Sequence, residues 1–350
     1  MTNIGKIFSV TFIFIKIIIS FLIYPFSSKK DTIIIGTRNG NSGYDNGEIL
    51  FEYFLKKGIK SHFLIYNNPE NYNNNIIKKN SIKSILKIIN AKYIYITHSE
   101  SDILSYLWRI FKYKKYIFIQ HGVIGIKCLP EYQKKNYYKY ISSNQYETNI
   151  FLNTFKLKKE NIIQCGLPRF DNYSIKHNSK IFSCLIMFTW RKYKSEKKIN
   201  YTEIISALKK SNPDIKIYIA NHDMCNQYNN NIKDVIYISN IDLPDIIKNT
   251  DLLITDYSSI SWDYLYQNKY IWFYHYDHDE YIINEGTYCN FDHFFGYRTY
   301  ENFHPSSNNI INEIILRNNI NNTSFLKQNY FYLHGNDNHI KTLVDETKNE

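Results

Sequence analysis

The sequence has no paired cysteines. Cys128, Cys165, Cys184, Cys225 and Cys289 are scattered through the 350 residues, with no Cys-x-x-Cys pair and no regular spacing. That pattern argues against a disulfide framework and a zinc site, and fits a reducing cytoplasm. No tandem repeat is evident, which argues against a solenoid. No small-x-small cleavage site follows the apolar N-terminus, which disfavours a signal peptide. Long disorder is also missing: 44% of residues are hydrophobic and 17% aromatic, so Asn-rich stretches such as Asn73 to Asn75 and Asn229 to Asn231 read as loops.

What is present suits two domains, because 350 residues exceed one ordinary core and match two of about 150 each. The formal charge of +11 points to an anionic partner: a lipid headgroup, a nucleotide or a nucleic acid. The joint abundance of Lys, Asn, Ile and Tyr is also what an AT-rich genome produces, so a functional basic surface and codon bias both stand. From Ile7 to Phe26 the chain is almost wholly apolar, interrupted by Ser9, Thr11, Lys16 and Ser20, with Lys6 before it and Lys29-Lys30 after it. A spanning helix, a signal peptide and a helix lying in the membrane interface compete. Lys16 in mid-run weighs against a full span. The expectation is a membrane-attached helix over residues 1–30, with the globular part on the cytoplasmic face.

Beyond it, short Ile- and Tyr-rich runs alternate with helical stretches, the order of parallel sheets covered on both faces. Strands are expected at Thr32 to Ile35, His62 to Tyr66, Lys92 to Thr97, Tyr116 to Gln120, Tyr138 to Ser142 and Ile162 to Cys165. After a break at Gly166-Leu167-Pro168-Arg169 they resume at Cys184 to Phe188, Ile215 to Ala220, Val235 to Ile238, Leu252 to Thr255 and Tyr270 to Tyr274. The spacing predicts an α/β chain of GT-B-like architecture: a Rossmann-like domain over 31–175 and another over 176–350, facing a central cleft. Ligands in such sheets bind beyond the carboxyl ends of the strands.

Those strand ends carry the candidate residues. Tyr116 to Gln120 runs into His121-Gly122, where an imidazole suits general-base work and the glycine permits a tight turn; a His satisfied by a neighbouring carbonyl is the alternative. Lys127 follows and either meets a phosphate or is solvated. Ile215 to Ala220 runs into Asn221-His222, a donor to a phosphate or a loop histidine without a role. Leu252 to Thr255 runs into Asp256-Tyr257-Ser258-Ser259 ahead of a helix, which offers donors to a phosphate or serves as ordinary capping. Arg169 and Arg191 lie near the hinge and face either the cleft or a surface partner. Asp277, His278 and Asp279 are adjacent on an extended chain and point to opposite sides, so no metal site is expected there.

Together these pieces resemble the CDP-glycerol glycerophosphotransferase family, the teichoic acid and capsule polyol-phosphate transferases. The resemblance runs from about Asp45 to Asp292 and rests on Asp251-Leu252-Leu253-Ile254-Thr255-Asp256-Tyr257-Ser258-Ser259-Ile260-Ser261-Trp262-Asp263-Tyr264, on Gln120-His121-Gly122, on Cys165-Gly166-Leu167-Pro168-Arg169-Phe170-Asp171, on Phe188-Thr189-Trp190-Arg191 and on Asp45-Asn46-Gly47 to Phe51-Glu52-Tyr53. Two stretches depart from the family pattern. Val123-Ile124-Gly125-Ile126-Lys127 replaces the usual Thr-Pro-Leu-Lys and is one residue longer, and Asp223 replaces the Pro that usually follows the second histidine.

The resemblance implies catalysis by His121 and His222, donor-phosphate binding by Asp256, Ser258, Ser259, Arg191 and Arg169, and an acceptor side of Gly122, Lys127, Asp45 and Asn46. It implies a CDP-glycerol or similar CDP-polyol donor, a membrane-linked polymer or lipid acceptor, an anionic membrane surface, no nucleic acid and no required cofactor. Two rivals remain: a GT-B glycosyltransferase using a nucleotide sugar, and a non-catalytic basic protein docking on membranes.

Overall fold

The computed structural model describes residues 3–27, 32–41, 43, 45–66, 73–175, 179–220, 232–239, 241–300, 309–333 and 338–348. In the first half, β1 (Thr32–Gly36), β2 (Ser61–Ile65), β3 (Ile76–Lys78), β4 (Ala91–Ile96), β5 (Tyr116–Phe118), β6 (Lys139–Ser142) and β7 (Ile162–Gln164) form a parallel sheet in the order β3-β2-β1-β4-β5-β6-β7. In the second half, β8 (Ser183–Ile186), β9 (Lys216–Ala220), β10 (Ile236–Ile238), β11 (Leu252–Thr255), β12 (Tyr270–His275) and β13 (Tyr297–Tyr300) repeat it as β10-β9-β8-β11-β12-β13. Both orders reverse direction beside the first strand, at β1/β4 and at β8/β11, which makes each half a Rossmann-like domain with a switch point for ligands. The expected GT-B-like pair of domains is what folds.

The helices are α1 (Asn3–Ile23), α2 (Asn46–Lys56), α3 (Ile82–Ile89), α4 (Pro130–Gln133), α5 (Gln145–Asn153), α6 (Tyr201–Ser211), α7 (Leu243–Asn249), α8 (Ile260–Tyr266), α9 (His278–Asn284), α10 (Ile310–Gln328) and α11 (His339–Lys348). Alternation along the strands feeds two cores. Ile34 of β1 packs with Ile85 and Ile88 of α3 on one face, while Ile35 packs with Phe51 and Phe54 of α2 on the other.

Three features differ from expectation. β5 stops at Phe118, because Gln120 has φ of 43°, a left-handed conformation that a strand cannot contain. The chain does not stay in the second domain to residue 350. Tyr332 donates its backbone N–H to Ser143 O (3.0 Å), Phe331 bridges Asn144, and α11 lays Leu343 and Val344 into the core that holds Tyr95 and Phe54. The last helix therefore belongs to the first domain. Finally, α10 was not foreseen: its inward stripe continues from Ile310 and Ile314 through Asn318 and Asn322. Asn318 replaces apolar packing by bonding both backbone groups of Ile271 (2.8 and 2.9 Å).

α1 is docked, and only on one side. Ile13, Ile17 and Ser20 are buried against the first domain, Phe21 stacks on Phe111 (6.2 Å), and Lys16 Nζ donates to Asn80 O (3.1 Å). Ile7, Phe8, Phe12, Leu22 and Phe26 remain exposed. The stretch Gly5–Phe26, with mean hydropathy 2.4, is long and apolar enough to cross a membrane by length and composition.

Candidate active site

A cavity of about 390 Å³ opens between the two switch points. Arg38 and His98, after β1 and β4, line it from the first domain together with His121 and Asp45; Ser258 and Ser259, after β11, line it from the second.

The left-handed turn at Gln120 directs the chain out of the sheet at His121. Gln120 itself is anchored by Nε2 donating to Ile141 O (3.0 Å). The His121 ring is 52% exposed, and its Nδ1 lies 2.7 Å from Asp45 Oδ2. Asp45 is the N-cap of α2, in a capping box with Glu48, so a residue that ends one helix also orients the imidazole. Burial pushes the Asp45 carboxyl up, but the charge and hydrogen bond of His121, then Arg169 and His98, reverse this and hold it well below the usual carboxylate range. An ionised Asp45 accepts from Nδ1–H, which leaves Nε2 as the basic edge of the exposed ring. Asn46 is fully buried and joins three segments: Nδ2 donates to Gln120 O (2.7 Å), and Oδ1 accepts from Arg169 N (3.1 Å).

Two carboxyls, the half-buried Glu48 and the fully buried Glu147, hold this wall in place. Glu48 accepts from the Gly43 and Asp45 backbones (3.1 and 3.0 Å); burial and the Asp45 charge push it up to about 7. Glu147, on α5, accepts from Ile124 N (2.6 Å) and Ser143 N (2.7 Å), pinning the loop after Gly122, and burial pushes it up to about 7.

On the second wall the charged candidates expected to meet a phosphate, Asp256 and Arg191, turn inward and pair with each other. Asp256 is fully buried; its Oδ1 accepts from Thr189 N (2.8 Å) and Tyr257 N (2.7 Å). Its Oδ2 lies 2.8 Å from Arg191 Nη2, as an ion pair rather than an aligned hydrogen bond. Arg191 is 7% exposed, makes a two-point pair with Asp277 (2.7 and 2.8 Å), and is ringed by Tyr257, Tyr276 and Tyr281. The two carboxylates neutralise the guanidinium, so this trio braces the loops after β8, β11 and β12. Arg169 is likewise engaged, donating to Asp263 of α8 (2.5 and 2.8 Å) and to His121 O (2.5 Å), which ties the hinge to both walls.

From the second domain Ser258 and Ser259 line the cavity, with Lys248 of α7 and the Arg169-paired Asp263 of α8 beside them. Ser259 stands at the N-cap position of α8 without a side-chain capping bond, and Ser258 Oγ receives only a long 3.4 Å bond from Ile260 N. Gly122 packs directly on Ser259: a Cβ at Gly122 would lie 2.4 Å from Ser259 Oγ, so the glycine is what lets the two walls meet. Lys127, expected on the acceptor side, is drawn to the second domain. Ile126 O accepts from Tyr288 N and Thr287 Oγ1 (both 2.7 Å), and the Lys127 ammonium sits 5.9 Å from the Trp190 ring. Asn221, His222 and Asp223 lie outside the described residues.

The sequence reading passed over His98. Its ring stacks on His121 with centroids 4.9 Å apart, and it follows β4 directly. The rule that picked out His121, a polar residue at a strand's carboxyl end, picks out His98 as well when applied to β4.

Residues 18–324 match the family described as CDP-Glycerol:Poly(glycerophosphate) glycerophosphotransferase. The chain is 26% identical over 288 residues to the minor teichoic acid biosynthesis protein GgaB of Bacillus subtilis, covering 67% of this chain and 30% of that protein. It is 26% identical over 308 residues to a teichoic acid glycerol-phosphate transferase of Staphylococcus aureus, covering 72% of this chain and 76% of the relative. The match thus spans less than a third of the first relative's length and about three quarters of the second's. In fold the chain is similar to the wall teichoic acid polymerase TagF, with a TM-score of 0.69 at 20% identity over 91% of this chain and 88% of that one.

Proposed function

Because the chain belongs to the CDP-glycerol:poly(glycerophosphate) glycerophosphotransferase family, we propose that it transfers glycerol phosphate or a related polyol phosphate from a CDP-activated donor to a hydroxyl of a membrane-linked acceptor. The observation that carries this reading is the Asp45–His121 pair facing Ser258 and Ser259 across one cavity.

His121 Nε2 takes the proton of the acceptor hydroxyl. The oxygen attacks the phosphorus that bears the polyol, the bond from that phosphorus to the bridging oxygen breaks, and CMP leaves with the electron pair. Asp45 holds the Nδ1–H tautomer and balances the imidazolium until its proton passes to solvent. Ser258 and Ser259 donate to the donor's pyrophosphate oxygens. His222 stays the proposed donor to the leaving phosphate, and Gly122 seats the loop of the base against Ser259 of the donor wall. The reaction as written requires no cofactor.

The apolar outer face of α1, with Lys6 near its start and Lys29-Lys30 after it in the sequence, in a chain of charge +11, suits the cytoplasmic surface of an anionic membrane. Because its other face is packed on the first domain, the helix is proposed to lie along the bilayer and not to span it.

The test is product analysis. Purified protein is incubated with CDP-glycerol or CDP-ribitol and isolated membranes. Release of CMP with label entering the membrane fraction supports the reading. Release of a nucleoside diphosphate from a nucleotide sugar supports glycosyl transfer instead. Salt-sensitive membrane binding without turnover of any donor supports a docking protein.

A further inference from the structure

His98 has no part in the proposed reaction, yet its turn is firmly held in the cleft and its ring is anchored at Nδ1. The turn after β4 converges on the buried carboxylate of Asp102, which accepts from the backbones of Thr97 (3.0 Å), His98 (2.8 Å) and Ser99 (3.3 Å), and from Asn39 (2.8 Å) in the turn after β1. The His98 Nδ1 lies 2.8 Å from Thr97 Oγ1, itself 3.1 Å from Thr37 Oγ1. The ring is thus fixed by both turns of the first switch point, and it presents a face to His121 at an interplanar angle of 29°.

His121 needs such a support. The Asp45 bond fixes one edge of its imidazole, but a half-exposed ring held at one edge still swings about that bond and carries Nε2 off the acceptor hydroxyl. We propose that His98 is a positioning residue for His121: a rigid aromatic face that sets the plane of the base while Asp45 sets its direction. This rests on the proposed function for its consequence, but not for its geometry.

The charged groups around the stack come from five places: His121 after β5, Asp45 at the start of α2, Asp102 in its own turn, Arg38 after β1 and Arg169 at the hinge, 3.8 Å from Asp45. Burial first, then the His121 charge, push the His98 ring toward its neutral form, against the pull of Asp102 and Asp45. A neutral ring face accommodates the imidazolium formed on His121, where a second cation would repel it.

The test compares full-length wild type with His98→Phe, His98→Ala and His98→Lys. In donor turnover, His98→Ala is expected to lower kcat by roughly 10- to 100-fold, as misplacement of a reacting group does, with donor KM unchanged. His98→Phe should restore most of that loss, and His98→Lys should be no better than Ala. A wild-type kcat in His98→Ala, a Phe variant no better than Ala, or an effect confined to KM overturns the proposal. The second measurement needs no substrate. The low-field Nδ1–H proton of His121, identified by its loss in His121→Asn, should be sharp in wild type and His98→Phe and exchange-broadened in His98→Ala. Equal sharpness in all three overturns the proposal even if no CDP-polyol is turned over. Absence of turnover in wild type, with the broadening as expected, counts against the proposed reaction and not against the stack.

Discussion

The two walls of the cleft use ionisable residues in opposite ways. On the first-domain wall the chemistry-bearing group is exposed: His121 is half open to the cavity and is aimed by a buried carboxylate behind it. On the second-domain wall Asp256, Arg191 and Asp277 are buried against one another, and the Ser258 and Ser259 hydroxyls line the cavity beside Lys248 and the Arg169-paired Asp263. One wall carries the base, and the other spends its charges on holding neutral donors in place. A charged residue at a strand's carboxyl end can therefore be either reagent or brace, and burial decides which.

The sharpest way to break this contrast is at the brace. Arg191→Ala leaves two carboxylates uncompensated in the interior, and removal of one partner from such a cluster costs on the order of 3–5 kcal/mol. Chemical denaturation should show a loss of that size, with activity falling along with the folded fraction. If the variant keeps wild-type stability and loses only donor affinity, Arg191 is a ligand contact after all.

The exposed wall should respond the other way. His121→Ala is expected to lower kcat by about 10²- to 10⁴-fold, the usual range for a general base, while stability falls by only about 1–3 kcal/mol for the bond lost to Asp45. A comparable loss of stability would make His121 a structural residue.

The walls should also differ in pH response. In the unfolded chain Glu48 and Glu147 ionise near 4.5; in the folded first domain both are pushed up to about 7. The folded state therefore holds extra protons between those values, and stability falls as pH rises through the window. The loss accumulates between about pH 4.5 and pH 7 and is complete by pH 8. Asp45 acts with the opposite sign, since its depressed ionisation adds stability above the normal carboxylate range that is lost only in strong acid. Melting curves at pH 5 and pH 8 check this, and greater stability at pH 8 would refute it.

The smallest effect belongs to the hydroxyls. Ser259→Ala removes one neutral donor, worth about 0.5–1.5 kcal/mol, and should raise donor KM by a few-fold with stability and the pH profile unchanged. An unchanged KM would leave Ser258 as the donor on that wall.

Much of this arrangement was legible in the sequence. The strand cores are continuous apolar runs, and their order of polar exits marked His121, Ser258 and Ser259, while Asp45 and Asn46 were marked only by the family resemblance. What stayed hidden depended on partners distant in sequence. Nothing local to Asp256 or Arg191 reveals that they face each other and Asp277. Nothing local to His98 reveals the ring it stacks on. β13, Tyr297–Tyr300, alternates polar and aromatic residues at a sheet edge, and α10 puts Asn318 and Asn322 where an apolar stripe would have marked a buried helix.

The return of the chain to its first domain has a mechanical consequence. The two interdomain crossings, near Gly166 to Asp171 and near Tyr330 to His339, are bolted to each other: His339 Nδ1 accepts from Gly166 N (2.8 Å), and Asp171 accepts from His339 N (2.8 Å) and Ile340 N (3.1 Å). Two strands of a strap fastened side by side behave as one pivot. A fastening at one point resists sliding of one domain past the other, which keeps the base of one wall and the hydroxyls of the other in register across the cleft.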